Sequence, residues 1–101
     1  MRFAVLGAGS LGLVVAGYLA NDGHRVTVVA KPEQADRLRQ REVEILAPKP
    51  VKVQLDVASR PEELEAADYL IVLVKARDTM AALDRVAGVE FGSVLSLQNG
   101  M

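Results

Sequence analysis

The sequence predicts an α/β protein whose mainly parallel, doubly wound sheet lies between two helical layers, in a three-layer α/β/α arrangement. Two observations support this fold class. Short apolar segments of strand length alternate with helical segments over short connections, which is typical of doubly wound sheets. The first strand, Arg2 to Leu6, is followed at once by a glycine-rich turn and an apolar helix that extends to Ala20. We therefore expect a single domain over residues 1–101.

The turn after the first strand has the pattern G-x-G-x-x-G, formed by Gly7-Ala8-Gly9-Ser10-Leu11-Gly12. Between a strand and a helix, this pattern is typical of Rossmann-type dinucleotide-binding domains. Gly7 is expected to make the tight turn, Gly9 to let a pyrophosphate approach the backbone, and Gly12 to let the helix lie close to the sheet. The N–H groups of the first helical turn lack intrahelical partners and complete a site for phosphates.

The second strand is predicted from Arg25 to Ala30, after a helix that ends at Asn21-Asp22-Gly23, and it completes a βαβ unit. An NAD site has a carboxylate at the end of this strand, whereas an NADP site needs a cation for the 2′-phosphate. Lys31 occupies that position, and the nearest acid, Glu33, lies beyond a proline. Because a lysine ammonium attracts phosphate, the sequence favours NADP, bound as NADPH in its reduced form. The alternative is that Lys31 is an ordinary solvated lysine.

The next segment is predicted to be a polar helix from Glu33 to Arg41, with Ala35 and Leu38 facing inward. Arg37 and Arg39 on this helix are either helpers of Lys31 or plain surface residues. Residues 43–46 and 51–55 then alternate like two half-buried strands. Prolines flank both segments, so a hairpin at an edge is expected.

Ser59-Arg60-Pro61-Glu62 is a capping-box pattern that predicts a short helix ending near Ala67. Asp68–Val74 is a continuous apolar run, typical of a strand buried in a parallel sheet. The next segment is predicted to be a helix whose inner face carries Met80, Leu83 and Val86-Ala87. A last strand is predicted from Ser93 to Leu97. With strand order 3-2-1-4, a crevice lies outside the carboxyl ends of the first and fourth strands. We expect the glycine turn, Lys31, Lys75 and Asn99 on its rim.

Composition argues against several classes of function. The formal net charge is −1 with scattered charges, so no nucleic-acid or membrane surface is indicated. The chain has no cysteine and one histidine, which leaves no thiolate metal site, no two-histidine metal site and no histidine-based triad. The uncharged run from Phe3 to Ala20 contains four glycines and falls short of the roughly 20 apolar residues of a membrane span. A cytoplasmic protein is the expectation.

Four motifs occur in order: the glycine turn, Gly23-His24-x-Val26-Thr27, Val74-Lys75-Ala76-x-Asp78-Thr79 and Leu97-Gln98-Asn99-Gly100. Together they resemble the N-terminal NADPH-binding domain of the ketopantoate reductase (2-dehydropantoate 2-reductase) family over the whole chain. The resemblance implies NADPH-dependent reduction of the 2-oxo acid ketopantoate to pantoate, on the route to pantothenate and coenzyme A. It places Lys31, where the family commonly has arginine, near the 2′-phosphate. It also places Lys75 and Asn99 at the cofactor, with Asn99 beside the substrate.

The resemblance further implies a second, helical domain that supplies the catalytic lysine, a glutamate that orients the substrate, and homodimer contacts. No catalytic residue is therefore expected within these 101 residues, although Lys75 is an alternative proton donor. We expect the chain to bind the dinucleotide without turnover. Two alternatives stay open. One is a non-catalytic dinucleotide-binding regulatory module, and the other is a related NAD(P)-dependent dehydrogenase of a different 2-oxo or hydroxy acid.

Overall fold

The computed structural model describes residues 1–7, 9–40, 43–45, 51–53 and 55–97. A five-stranded parallel sheet forms its centre. The strands, in spatial order, are β5 (Asp56–Ala58), β2 (Arg25–Val29), β1 (Arg2–Leu6), β6 (Ala67–Val72) and β7 (Phe91–Ser96). The chain leaves β1 toward one side of the sheet and returns to the other side as β6. This order confirms the predicted doubly wound fold and its reversal next to the first strand.

The two faces of the sheet are covered by different helices, because successive strand residues point to opposite sides. On one face, Val5 and Val28 pack with buried residues of α1 (Ser10–Asn21) and α2 (Pro32–Arg39). On the other face, Leu6 and Leu70 pack with α3 (Thr79–Leu83) and the 3-10 turn that follows it. The three layers are thus as predicted. In the described ranges no helix has the length and apolarity needed to cross a bilayer.

The predicted hairpin is present, but it stands apart from the main sheet. Strands β3 (Val43–Ile45) and β4 (Val51–Val53) pair antiparallel as a separate two-stranded sheet that contacts α1. The strand that follows β2 in the main sheet and pairs with it is instead β5, which was not predicted from the sequence. Three residues are too short a segment for an alternating pattern to be recognised.

The helix predicted from Ser59 to near Ala67 is wrong. The chain makes only a 3-10 turn over Pro61–Glu63, then becomes extended at Leu64 and enters β6 at Ala67. The carboxylate that bonds back to Ser59 belongs to Glu63 rather than to Glu62: its Oε1 accepts hydrogen bonds from the Ser59 N–H and Oγ, each 3.1 Å long. Burial of Leu64 against the core holds the chain extended.

The predicted inner face of the helix after β6 is confirmed at Val86 and wrong at Met80 and Leu83. Ala82 and Val86 are the buried residues, whereas Met80 is 80% exposed and Leu83 is 37% exposed. The α-helical part is short and is flanked by two 3-10 turns, Ala76–Asp78 and Asp84–Val86. A 3-10 turn has about 3.0 residues per turn rather than 3.6, so the phase of the apolar positions differs from that of a continuous α-helix.

Strand β7 forms one edge of the sheet and pairs with β6. Gly92 is required there, because a Cβ at this position would lie 2.7 Å from the carbonyl oxygen of Asp68. Beyond Phe91 the strand is exposed on both faces, with Val94 60% and Leu95 47% accessible to solvent. The strand was predicted from Ser93 to Leu97. The observed strand, Phe91–Ser96, starts two residues earlier and ends one residue earlier.

Candidate dinucleotide-binding site

The turn after β1 has the conformation that its first glycine was predicted to provide. Gly7 has φ +125°, a backbone conformation that residues other than glycine rarely adopt. Its N–H donates to the carbonyl oxygen of Val29 over 3.0 Å, which ties the turn to the end of β2. A Cβ on Gly7 would also press against the Leu73 and Val74 backbone at 3.2 to 3.3 Å. Ala8 lies outside the described residues.

Gly9 and Gly12 occupy different surroundings at the start of α1. Gly9 is the N-cap residue, and nothing lies within 4 Å of the position its Cβ would take. A Cβ on Gly12, by contrast, would overlap the carbonyl oxygen of Gly7 and lie 3.1 Å from its carbonyl carbon. Gly9 thus leaves open space in front of the helix N-terminus, and Gly12 allows the helix to contact the turn. Ser10 and Leu11 continue the first helical turn, and the Leu11 side chain is 60% exposed.

The crevice between β1 and β6 is the point at which the strand order reverses. The Leu73 N–H donates to the Leu6 carbonyl oxygen over 2.9 Å, so the two strands stay paired to their carboxyl ends. Chain segments leave these ends toward opposite faces of the sheet. In open α/β sheets, ligands bind in this position.

Both predicted lysines lie after strand ends at this edge. Lys31 is exposed and is the N-cap residue of α2. Lys75 follows β6 and is also exposed, and its carbonyl oxygen accepts hydrogen bonds from the Asp78 N–H (2.9 Å) and the Thr79 hydroxyl (3.3 Å). These bonds fix the backbone of Lys75 and leave its side chain toward solvent. Asn99 lies outside the described residues, so its place on the rim stays a prediction.

The two arginines considered as helpers of Lys31 are engaged elsewhere. Helix α2 leads away from the carboxyl edge, and at about 1.5 Å per residue it carries both residues away from Lys31. The Arg37 Nε donates to the Glu33 carbonyl oxygen over 3.3 Å. Arg39 bonds the Glu63 carboxylate at 2.7 Å and the Val57 carbonyl oxygen at 3.3 Å.

The carboxylate of Glu63, in the 3-10 turn after β5, is stabilised in its charged form. Its pKa lies below the ordinary value of 4.5, first because the Ser59 N–H donates to it, although desolvation opposes the shift. The Ser59 hydroxyl and the positive charges of Arg39 and Arg60 lower the pKa further. Arg85 donates to the Ser59 carbonyl oxygen over 3.2 Å. The structure thus brings Ser59 and Arg60 to the end of β5, beside β2, whereas sequence reasoning had assigned them to a helix cap.

A separate cavity of about 410 Å³ lies near the amino ends of the strands and is lined by Arg2, Arg25 and Asp56 among others. Ion pairs occupy much of its wall, including Arg2 with Glu65 at 2.8 Å. The backbone N–H of Arg2 also donates to the Asp68 carboxylate over 2.8 Å. These contacts fasten β1 to the chain that enters β6, at the end of the sheet opposite to the crevice.

Comparison with known proteins identifies the relatives of this chain. The family model described as Ketopantoate reductase PanE/ApbA matches residues 3–101. The 2-dehydropantoate 2-reductase of Archaeoglobus fulgidus is 34% identical over 100 residues, covering 99% of this chain and 33% of the relative. That of Pyrococcus abyssi is 30% identical over 102 residues, covering 100% of this chain and 34% of the relative. The chain thus spans about a third of the length of these curated relatives.

Solved structures agree with this assignment. A PanE/ApbA family ketopantoate reductase from Ralstonia eutropha superimposes with a TM-score of 0.85 at 31% identity, over 99% of this chain and 35% of that protein. A D-mandelate dehydrogenase solved with NADH and anilino(oxo)acetate gives a TM-score of 0.84 at 23% identity, over 100% of this chain and 34% of that protein. At that identity the second similarity concerns the fold alone.

Proposed function

The chain belongs to the ketopantoate reductase family, and we propose that it is the NADPH-binding part of a 2-dehydropantoate 2-reductase. The observation that carries this proposal is the glycine turn at the reversal of the sheet, with an exposed lysine at the end of β2. The turn offers backbone N–H groups to a pyrophosphate, and the lysine offers a positive charge to a 2′-phosphate. The two features suit the central pyrophosphate and the adenosine ribose of one extended dinucleotide.

The residues of the glycine turn would hold the pyrophosphate. The open space in front of Gly9 supports this, because a phosphate could approach the backbone there without meeting a side chain. The proposed contacts of the turn are Gly7, Ala8, Gly9, Ser10, Leu11 and Gly12. Lys31 would bind the 2′-phosphate, and Lys75 and Asn99 would contact the cofactor nearer the nicotinamide. Asn99 would also lie beside a 2-oxo acid substrate.

When bound, NADPH would supply the hydride that reduces a 2-oxo acid to a 2-hydroxy acid. The forming alkoxide also needs a proton from a positioned acid. In the proposal that acid is a lysine, with a glutamate orienting the substrate, and both belong to parts of the relatives that these 101 residues do not match. In this proposal Lys75 contacts the cofactor and is not the proton donor. The 101-residue chain is therefore expected to bind NADPH without turnover, and a cytoplasmic homodimer is expected of the complete enzyme.

Calorimetric titration with NADPH and with NADH tests the proposal, and it suits a chain without tryptophan. We expect NADPH to bind tighter. Lys31→Asp places a negative charge beside the phosphate and is expected to lower NADPH affinity about tenfold, or about 1.4 kcal/mol, without weakening NADH. Lys52→Asp is the matched control, since Lys52 is an exposed lysine on β4. Preference of the unmodified chain for NADH, or binding of neither dinucleotide, would contradict the proposal.

A further inference from the structure

Two cationic residues, Lys31 and Arg60, follow the paired strands β2 and β5 at the carboxyl edge of the sheet. Val29 and Ala58 are paired in register, and the Ala30 N–H donates to the Ala58 carbonyl oxygen over 2.9 Å, one step beyond β2. Lys31 and Arg60 are each the second residue after this pair. Both have extended backbones, with φ −63° and ψ 151° at Lys31 and φ −139° and ψ 155° at Arg60. The pairing therefore brings their backbones close together.

Adjacent strands of a sheet lie about 4.8 Å apart, so the long cationic side chains of Lys31 and Arg60 start from neighbouring backbone positions. Both residues are exposed. Like charges on neighbouring strands destabilise the pairing, and a bound anion would relieve this repulsion. A phosphate monoester carries a charge of about −1.5 to −2 at neutral pH, which matches two cations.

Glu63, the acid whose carboxylate the Arg60 charge stabilises, is not free to form an ion pair with it. Both carboxylate oxygens of Glu63 are already engaged, Oε1 by Ser59 and Oε2 by Arg39 at 2.7 Å. Among the described residues, the Arg60 and Lys31 side chains take part in no ion pair and no side-chain hydrogen bond with one another or with an acid. Arg60 acts on the Glu63 carboxylate only through space, so the guanidinium of Arg60 and the ammonium of Lys31 can both contact a ligand.

We propose that Arg60 and Lys31 together bind the 2′-phosphate of the dinucleotide, and that Arg60 is the second residue that selects NADPH over NADH. This inference rests on the proposed function. A lysine ammonium acts as a compact point charge, whereas a guanidinium presents a planar fork of N–H groups that can bond two phosphate oxygens at once. Arg60 thus adds directional binding to the charge of Lys31. Arg37 and Arg39 do not take this role, because Arg37 bonds the Glu33 carbonyl oxygen within α2 and Arg39 bonds the Glu63 carboxylate.

The test is calorimetric titration of the unmodified chain, Arg60→Gln and Arg25→Gln with NADPH and with NADH. Arg25 is a matched control, because it is an exposed arginine at the amino end of β2, the strand that Lys31 follows. We expect Arg60→Gln to weaken NADPH about fivefold, as for an exposed charge pair, and to leave NADH unchanged. Arg25→Gln should change neither. The loss should shrink as salt is added, because salt screens exposed charges.

The outcomes separate the two proposals. If the unmodified chain prefers NADPH and Arg60→Gln binds it equally well, the role of Arg60 is refuted and the proposed function stands. If Arg60→Gln weakens NADPH and NADH alike, the residue acts through the structure, and its role in selectivity is likewise refuted. If the unmodified chain binds neither dinucleotide, both the proposed function and the role of Arg60 fall. A melting curve of Arg60→Gln matching that of the unmodified chain shows that the variant is folded.

Discussion

Gly12→Ala is expected to destabilise the chain, although alanine is the better helix former. Replacing glycine by alanine in a helix interior gains about 1 kcal/mol. At Gly12, however, the new methyl group would overlap the carbonyl oxygen of Gly7. A backbone oxygen cannot move away by changing rotamer, so α1 or the turn must shift, and overpacking of this kind costs about 1–3 kcal/mol. Taking the upper end for a backbone clash leaves a net loss of about 2 kcal/mol.

Thermal unfolding followed by far-UV circular dichroism measures this loss. For a domain of this size, about 1 kcal/mol corresponds to roughly 4–8 °C in Tm, so Gly12→Ala should melt about 10 °C below the unmodified chain. Gly9→Ala is the matched control, because no atom lies within 4 Å of its Cβ position. Its Tm should change by less than about 3 °C, as a weaker N-cap offsets a less flexible unfolded chain. A Gly12→Ala variant as stable as Gly9→Ala would refute the close approach of α1 to the turn.

Two further predictions concern the core and the response to pH. The Leu6 side chain is 1% exposed, so Leu6→Ala should lower the free energy of unfolding, measured by urea denaturation, by about 2–5 kcal/mol. Leu11 is 60% exposed, and Leu11→Ala should change that free energy by less than about 0.5 kcal/mol. Equal losses for the two variants would contradict the assignment of the core. Because the pKa of Glu63 is lowered in the folded state, its contribution to stability is present above pH 4.5 and is lost as pH falls through the folded pKa. Glu63→Gln should therefore melt below the unmodified chain at neutral pH and approach it in acid, with Glu62→Gln as control; a difference that persists undiminished in acid would refute the carboxylate's role.

The first half of the fold could be predicted from the sequence because several local signals agree there. Strand β1 has the predicted bounds, Arg2–Leu6, and β2 is one residue shorter than predicted. Between them, the glycine turn starts α1 and Gly23 follows its end. Ala35 and Leu38 are the buried residues of α2, as the helical pattern indicated. Each of these elements combines an apolar pattern with a residue that limits it.

The second half was less predictable, because tertiary contacts override local patterns there. Ser59-Arg60-Pro61-Glu62 fits a capping box, yet no helix follows, since Glu63 bonds Ser59 from a 3-10 turn and Leu64 is drawn into the core. Strand β5, only three residues long, gave no recognisable pattern, and the position of Arg60 beside β2 was missed with it. The predicted rim residues Lys31 and Lys75 do follow strand ends at the carboxyl edge. Their contacts with a dinucleotide, and that of Asn99, stay predictions.

The exposed edge strand β7 affects how molecules of this chain associate in solution. From Phe91 to Leu97 the sequence contains neither a charged residue nor a proline, the two devices that commonly protect a sheet edge. Val94, Leu95 and Leu97 are all about half exposed or more. A net charge of −1 provides little repulsion between molecules. Within the described part of the chain, β7 is thus a sheet edge without these protective devices, and its backbone can template a strand from a neighbouring molecule.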